Sequence, residues 1–180
     1  PVILVGQGVK YGGAAADLVR LAERLRVPVA WSASGTGAID SHHPLALGLV
    51  ARNGPYQANH AARTADVLLA LGVRFDDRTS SSWLPGYSFT IPPTRLIHVD
   101  IDPDEIARNY PVALGLMADV RTFLQQVLAE LAARPHVAEA AASRAKWLDA
   151  IDGYRKEWDA FIAPGFVDDA SPIHPQRAAY

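Results

Sequence analysis

The sequence predicts an α/β fold built on a parallel sheet, and three features carry that expectation. Short apolar runs alternate with stretches of helical period, about 3.6 residues. The runs end in turns rich in glycine, serine or charge. One run, Val67 to Leu71, is apolar at every position, the pattern of a strand covered on both faces. Within 180 residues the alternation leaves room for one principal domain and a tail.

The elements follow in order. Val2-Ile3-Leu4-Val5 reads as a strand at once, with no methionine before it, so a segment upstream is expected. Gly6-Gln7-Gly8 turns the chain. From residue 13 to 26, Leu18, Leu21, Ala22 and Leu25 share one helical face, and Asp17, Arg20, Glu23 and Arg24 the other. Val27 to Trp31 restarts a strand that stops at Ser32-Ala33-Ser34-Gly35, completing a βαβ unit with an expected right-handed crossover. A helix at about 55–64 precedes the Val67–Leu71 strand, and a loop rich in Ser, Pro and Gly runs from Thr79 to Pro93. Leu96 to Asp100 is the next strand, and Pro103-Asp104-Glu105 opens a short helix with proline early and acids in its first turn. A shorter strand at Leu114–Met117 is followed by Asp119 as N-cap of a helix whose stripe is Val120, Phe123, Leu124, Val127, Leu128 and Leu131.

Beyond Arg134-Pro135 the strands stop. Trp147, Leu148, Ile151, Tyr154, Trp158, Phe161 and Ile162 form a second long stripe, which covers the core or faces a partner. Pro164, Gly165, Pro172 and Pro175 leave little regular patterning near the end. The expected organisation is therefore a nucleotide-binding-like domain at 1–134, a helical extension at 135–162 and a linker at 163–180.

Composition excludes several function classes. With 17 basic and 19 acidic residues the net charge is −2, and no Lys/Arg block exists to neutralise a run of phosphates, so no nucleic-acid partner is expected. The absence of cysteine excludes disulfides, thiolate nucleophiles and Cys-based metal centres, and fits a reducing cytoplasm. The six histidines show no ligand spacing, so no metal site is expected. No apolar run reaches the roughly 18 residues of a membrane helix, so no membrane association is expected.

In an open parallel sheet ligands bind at the carboxyl ends of strands, where the strand order reverses. Gly6-Gln7-Gly8, with Gly12-Gly13 beyond, permits close backbone approach to a ligand and offers N–H groups to an anion; glycines serving only a tight turn is the alternative. The spacing is one residue off the dinucleotide fingerprint, and Trp31-Ser32 stands where that fingerprint wants an acid, which disfavours an ordinary nicotinamide-binding domain. Ser32-Ala33-Ser34-Gly35 offers hydroxyls to a phosphate or ribitol, or is simply a flexible turn. The cluster Arg74-Phe75-Asp76-Asp77-Arg78 either pairs internally as a solvated network or presents planar donors to phosphates. Asp100-Ile101-Asp102 accepts ribose hydroxyls, caps the following helix, or both. His98, inside an apolar strand, reads as a satisfied core residue. No complete catalytic constellation is present, and the chain by itself is expected to be inactive.

Successive blocks of the chain resemble the middle domain of thiamine-diphosphate-dependent enzymes of the acetolactate synthase family. These are Pro1 to Gly8, Leu45 to Leu49, Asn53-Gly54, Ala65 to Arg78, and His98 to Ile106, covering about residues 1–131, and the most specific is Asp66 to Arg78. Ser171 to Arg177 resembles the entry into that family's third domain. The resemblance implies a six-stranded, Rossmann-like parallel sheet with helices on both faces, a three-layer sandwich. It implies a transferase or lyase whose thiamine diphosphate and magnesium lie in flanking N- and C-terminal domains, assembled as a homodimer or homotetramer. It further implies FAD in a largely non-redox role, or ADP, in this domain; an empty scaffold domain of a decarboxylase or hydrolase is the alternative. Carried over by position, Gly6, Gln7 and Gly8 hold the diphosphate region, Ser32 and Ala33 line the flavin side, and Val50, Ala51, Arg52 and Asn53 lie along the cofactor. Gly72, Val73, Arg74 and Asp76 contact its centre, and Asp100, Ile101 and Asp119 surround the adenosine. The chain has Gly6-Gln7-Gly8 where synthases read Gly-Gly-Gly, and Ala51-Arg52-Asn53-Gly54 where they read Gly-Met-His-Gly.

Overall fold

The structure is a computed structural model describing residues 1–134, 144–167 and 171–172. Six strands form one parallel sheet: β1 (Val2–Val5), β2 (Val29–Trp31), β3 (Ala46–Leu49), β4 (Val67–Leu71), β5 (Arg95–Asp100) and β6 (Leu114–Met117). Their order is β3-β2-β1-β4-β5-β6, so the direction of winding reverses between β1 and β4. The register aligns the carboxyl ends: Val5 lies beside both Trp31 and Leu71, and Leu71 beside Val99. Every loop that leaves a carboxyl end therefore opens on the same side of the sheet.

Among the described residues five α-helices cover the sheet: α1 (Gln7–Tyr11), α2 (Ala15–Leu25), α3 (Tyr56–Thr64), α4 (Val120–Ala132) and α5 (Ala145–Val167). Because strand side chains alternate between faces, Ile3 and Val5 join Val29, Leu71 and Val99 in a core closed by Leu18 and Leu21 of α2 and Leu124 of α4. Val2 and Leu4 face the other way, with Leu68, Ala70 and Leu96, onto Ala58, Ala61 and Ala62 of α3. The alanines let α3 lie close to the sheet. This is the three-layer α/β sandwich that the sequence predicts.

The first half of the long C-terminal stripe covers the core, while Phe161 further along is 76% exposed. Ile151 of α5 is buried in the α3 layer, with Trp147 and Tyr154 packed beside it. Arg155 donates to the carbonyls of Pro44 and Ala46 at 2.9 and 2.8 Å, tying α5 to the β3 edge of the sheet. The helix continues through Pro164 to Val167, past the breaker signals of the sequence. Proline removes one helical bond, that to the carbonyl of Ala160, at an exposed position open to solvent, where the loss costs least. Residues 135–143, which open the expected helical extension, lie outside the described residues, as does most of the expected linker. Among the described residues no helix is long and apolar enough to cross a membrane.

Two short elements were not legible as such. The sequence turn at Gly6-Gln7-Gly8 is instead the entry to α1, a helix of 5 residues. Strand β3 carries Gly48 at φ +112° and pairs with β2 through a register shift between Val29 and Ala30, which breaks the apolar alternation.

Candidate functional site

A cleft of about 1130 Å³ runs across the carboxyl ends of all six strands, centred on the β1/β4 reversal. Small-molecule pockets usually measure about 300–1,000 Å³, so this one suits an extended, dinucleotide-sized ligand. Its floor and walls are the six strand-end loops. Gln7, Gly8, Tyr11 and Gly12 follow β1, and Ala33 and Ser34 follow β2. Val50, Ala51, Arg52 and Asn53 follow β3. Gly72, Arg74, Asp76, Asp77, Arg78 and Thr79 follow β4, Asp100 and Ile101 follow β5, and Asp119 and Val120 follow β6.

Of the residues expected at the site, Gly6, Ser32 and Val73 do not line the cleft. They stand just behind its wall. Gly6 donates its N–H to the carbonyl of Leu71 at 3.0 Å, and a Cβ there would lie 2.2 Å from the Gly72 carbonyl oxygen. The N–H of Ser32 is bound to the Val5 carbonyl at 2.9 Å. Val73 is buried, and its carbonyl accepts a 2.9 Å bond from Nε2 of His98. Gly8 lines the cleft, yet its N–H is engaged by the Gly72 carbonyl at 3.2 Å. The two glycines thus serve chiefly to bring the end of β1 against the end of β4, a role that neither turn chemistry nor ligand approach in the sequence distinguishes.

Both arginines and carboxylates line the cleft. No ion pair forms among Arg74, Asp76, Asp77 and Arg78; Arg74 Nε instead reaches Glu105 at 3.5 Å, and Arg108 joins the same carboxylate at 2.9 Å. Asp76 accepts from the backbone N–H of Thr79 at 2.7 Å and so shapes its own turn. Among the described residues no hydrogen bond or ion pair engages the side chains of Arg52 or Arg78. Three guanidinium groups, two of them unpaired, therefore line the cleft on the β3 and β4 loops, beside the carboxylates of Asp76 and Asp77.

At the β5–β6 end, Asp100 accepts from the N–H of Asp102 at 3.0 Å. Asp102, not Asp100, caps the following turn by accepting from Asp104 at 3.0 Å. Asp119 accepts from Thr122 N–H at 2.9 Å, the N-cap the sequence predicts for α4. Each carboxylate keeps a second oxygen for another donor. Tyr11 and Ile101, 82% and 71% exposed, stand in the same cleft as large apolar surfaces with little protein to cover them.

Among the described residues the lining contains no histidine, cysteine or lysine. Its arginines can bind anions, its carboxylates can accept from hydroxyls, and Tyr11 offers a flat ring. Among the described residues no group of three or more His, Cys, Asp or Glu is placed to hold a metal ion. His98 lies behind the wall, buried, with Nε2–H donating to Val73 as a satisfied core residue. Burial holds its pKa below the usual histidine value, while the Val73 bond opposes that shift. Above the ordinary pKa of about 6.5 both folded and unfolded forms are neutral. As pH falls through that value the unfolded chain gains a proton that the folded chain refuses, so stability is lost on acidification. His98→Gln keeps a donor toward Val73 and removes the titration. Urea midpoints measured between neutral and mildly acid pH should therefore fall less steeply for the variant; parallel curves would show that His98 does not contribute.

Sequence reasoning missed Tyr11 and Thr79 at the cleft and Asn59 behind it. Tyr11 lies in the short helix read as a turn, and Asn59 looks like any polar residue on a helix face.

Known families and proteins match this chain. The family model described as thiamine pyrophosphate enzyme, central domain, matches residues 1–127. A probable acetolactate synthase large subunit from Methanocaldococcus jannaschii is 37% identical over 177 residues, covering 98% of this chain and 28% of that protein. The acetolactate synthase large subunit of Buchnera aphidicola subsp. Schlechtendalia chinensis is 36% identical over 176 residues, covering 98% of this chain and 29% of its own length. The acetolactate synthase isozyme 3 large subunit of Escherichia coli is 38% identical over 128 residues, 71% of this chain and 22% of that one. The chain thus spans under a third of the length of these relatives.

Proposed function

The chain belongs to the central-domain family of thiamine pyrophosphate enzymes, and on that premise we propose that it serves as the non-catalytic middle domain of an acetolactate synthase-like 2-oxoacid carboligase or lyase. In this reading it holds FAD or ADP in the strand-end cleft and joins the two domains that carry thiamine diphosphate and magnesium, in a cytoplasmic homo-oligomer. The observation that carries the reading is the make-up of the cleft: Arg52, Arg74 and Arg78 on the β3 and β4 loops, Asp100 and Asp119 at the β5–β6 end, and no histidine, cysteine or lysine among the described lining residues.

The residues fit a dinucleotide in a particular way. Since the Gly6 and Gly8 N–H groups are engaged by β4, the diphosphate falls to Arg52, Arg74 and Arg78, whose planar forks match phosphate oxygens. Asp100 and Asp119 accept ribose hydroxyls, and Tyr11 offers a face to the base. When bound, the nucleotide adds buried area that joins all six strand-end loops. Titrating the purified protein with ADP and with FAD, followed by calorimetry and flavin absorbance, tests this. Tyr11→Ala should weaken ADP about fivefold to tenfold, the low end of base-stacking energies because the ring is exposed. Unchanged affinity would place the base elsewhere.

One observation favours a second reading, a scaffold domain with no nucleotide. The glycine amides that ordinarily meet a diphosphate in such folds are closed off by the β4 carbonyls. In that case neither ligand raises the melting temperature.

A further inference from the structure

The turn after β3 is held in a conformation its residues do not favour. Ala51 has φ +84°, a left-handed value that a side chain resists, and this turn presents Arg52 and Asn53 to the cleft. Asn59, on α3, grips it. Its Oδ1 accepts from Ala51 N–H at 2.8 Å, and its Nδ2 donates to the carbonyls of Ala51 and Gly54 at 2.9 and 3.2 Å. A single side chain thus adds three bonds to the backbone bond within the turn, Gly54 N–H to the Ala51 carbonyl at 2.9 Å.

The opposite lip of the cleft carries strain too. Ser81, Ser82 and Trp83 lie in sequence at φ +51°, +57° and +56°, directly after the cleft residues Asp76 to Thr79. Backbone bonds fold this run onto them: Ser80 N–H to the Asp76 carbonyl, and Ser82 N–H to that of Asp77. Ser81 and Ser88 are buried with their hydroxyl oxygens 2.8 Å apart, and Ser88 donates to Asn59 Oδ1 at 3.2 Å. Ser88 has one hydroxyl proton, so proton counting sets the direction of the chain: Ser81 donates to Ser88, and Ser88 to Asn59. Asn59 Oδ1 is the point where both lips meet.

We propose that Asn59, with Ser88 and Ser81, is the positioning device of the cleft: it fixes the Arg52 lip in its strained form and couples that lip to the Asp77–Arg78 lip across from it. The two unpaired arginines then sit at a set separation before any ligand arrives, and binding does not have to order them. The bearing of this device on ligand affinity rests on the nucleotide reading above; the coupling itself does not.

Two measurements on the purified protein test the proposal. The first is amide hydrogen exchange at Ala51 and Gly54 in Ser88→Ala. The expected result is exchange faster by several-fold at both amides, although the substitution lies on the other lip. Exchange unchanged there, with effects confined to residues near 81–88, would overturn the coupling. The second compares Asn59→Ala with the double variant Asn59→Ala/Ala51→Gly. Glycine adopts φ +84° freely, so Ala51→Gly should recover most of the melting temperature lost in Asn59→Ala. No recovery would overturn the role of Asn59 in holding the strained turn. In the recovered double variant ADP affinity should remain at least about fivefold below the parent protein, because Arg52 is no longer fixed, whereas full affinity would show that Asn59 acts on stability alone. If the parent protein binds no nucleotide, the nucleotide reading fails by itself, and the exchange and recovery results still decide the clamp.

Discussion

Gly72→Ala should destabilise the protein by about 3 kcal/mol or more, a melting temperature lower by roughly 6–12 °C for a chain of this size. Two effects add. Gly72 has φ +58°, which costs an alanine about 1 kcal/mol. A Cβ there would also lie 2.5 Å from Gly8 Cα and 2.9 Å from Gly8 N, both backbone atoms that cannot rotate away. Relief requires β1 and β4 to part at the sheet's reversal, the place where the cleft is centred. Gly86→Ala is the matched control: its φ is +72°, but a Cβ there meets nothing within 4 Å. It should show only the conformational part, near 1 kcal/mol. Equal losses for the two variants would mean that the close approach of β1 to β4 contributes nothing.

Removing the unpaired arginines should produce the largest change in binding. Arg52→Ala and Arg78→Ala should each weaken ADP about tenfold, and the double variant about a hundredfold. A hydrogen bond to a charged group contributes about 1.5–3 kcal/mol, taken at the low end because both side chains are exposed. Among the described residues neither arginine has an ion-pair partner, so their removal should leave the melting temperature of the unliganded protein nearly unchanged. Adenosine, which lacks phosphates, separates charge from shape: its affinity should not respond. A parallel loss for adenosine would place the arginines at the sugar or base instead.

The fold was largely legible because each strand of an α/β sheet carries its own signal. Val67 to Leu71 and Leu114 to Met117 match their strands end to end, since apolar runs bounded by turn residues leave few alternatives. Strand β3 escaped because Gly48 and the register shift at Val29/Ala30 interrupt the apolar pattern over only 4 residues. Helix α1 escaped because glycine reads as turn.

The site was legible at the level of loops and less so at the level of atoms. Most residues expected at the strand ends do line one cleft, because a parallel sheet with aligned register delivers all its carboxyl ends to the same side. What sequence cannot show is where each N–H is directed. Gly6 and Gly8 look like donors awaiting an anion, and their bonds to Leu71 and Gly72 exist only once β4 is beside β1. Asn59 is the converse case: eight residues from Ala51 and on a helix, it becomes part of the site only through tertiary contact.

The central claim is that the strand-end cleft binds an adenine nucleotide, and titration calorimetry of the purified protein with ADP and FAD tests it most directly. The account predicts saturable binding of at least one of them, at one site per chain, with a Kd below about 100 μM and with the two ligands competing. Absence of binding by both at millimolar concentration, in protein that is folded by its melting transition, would contradict it.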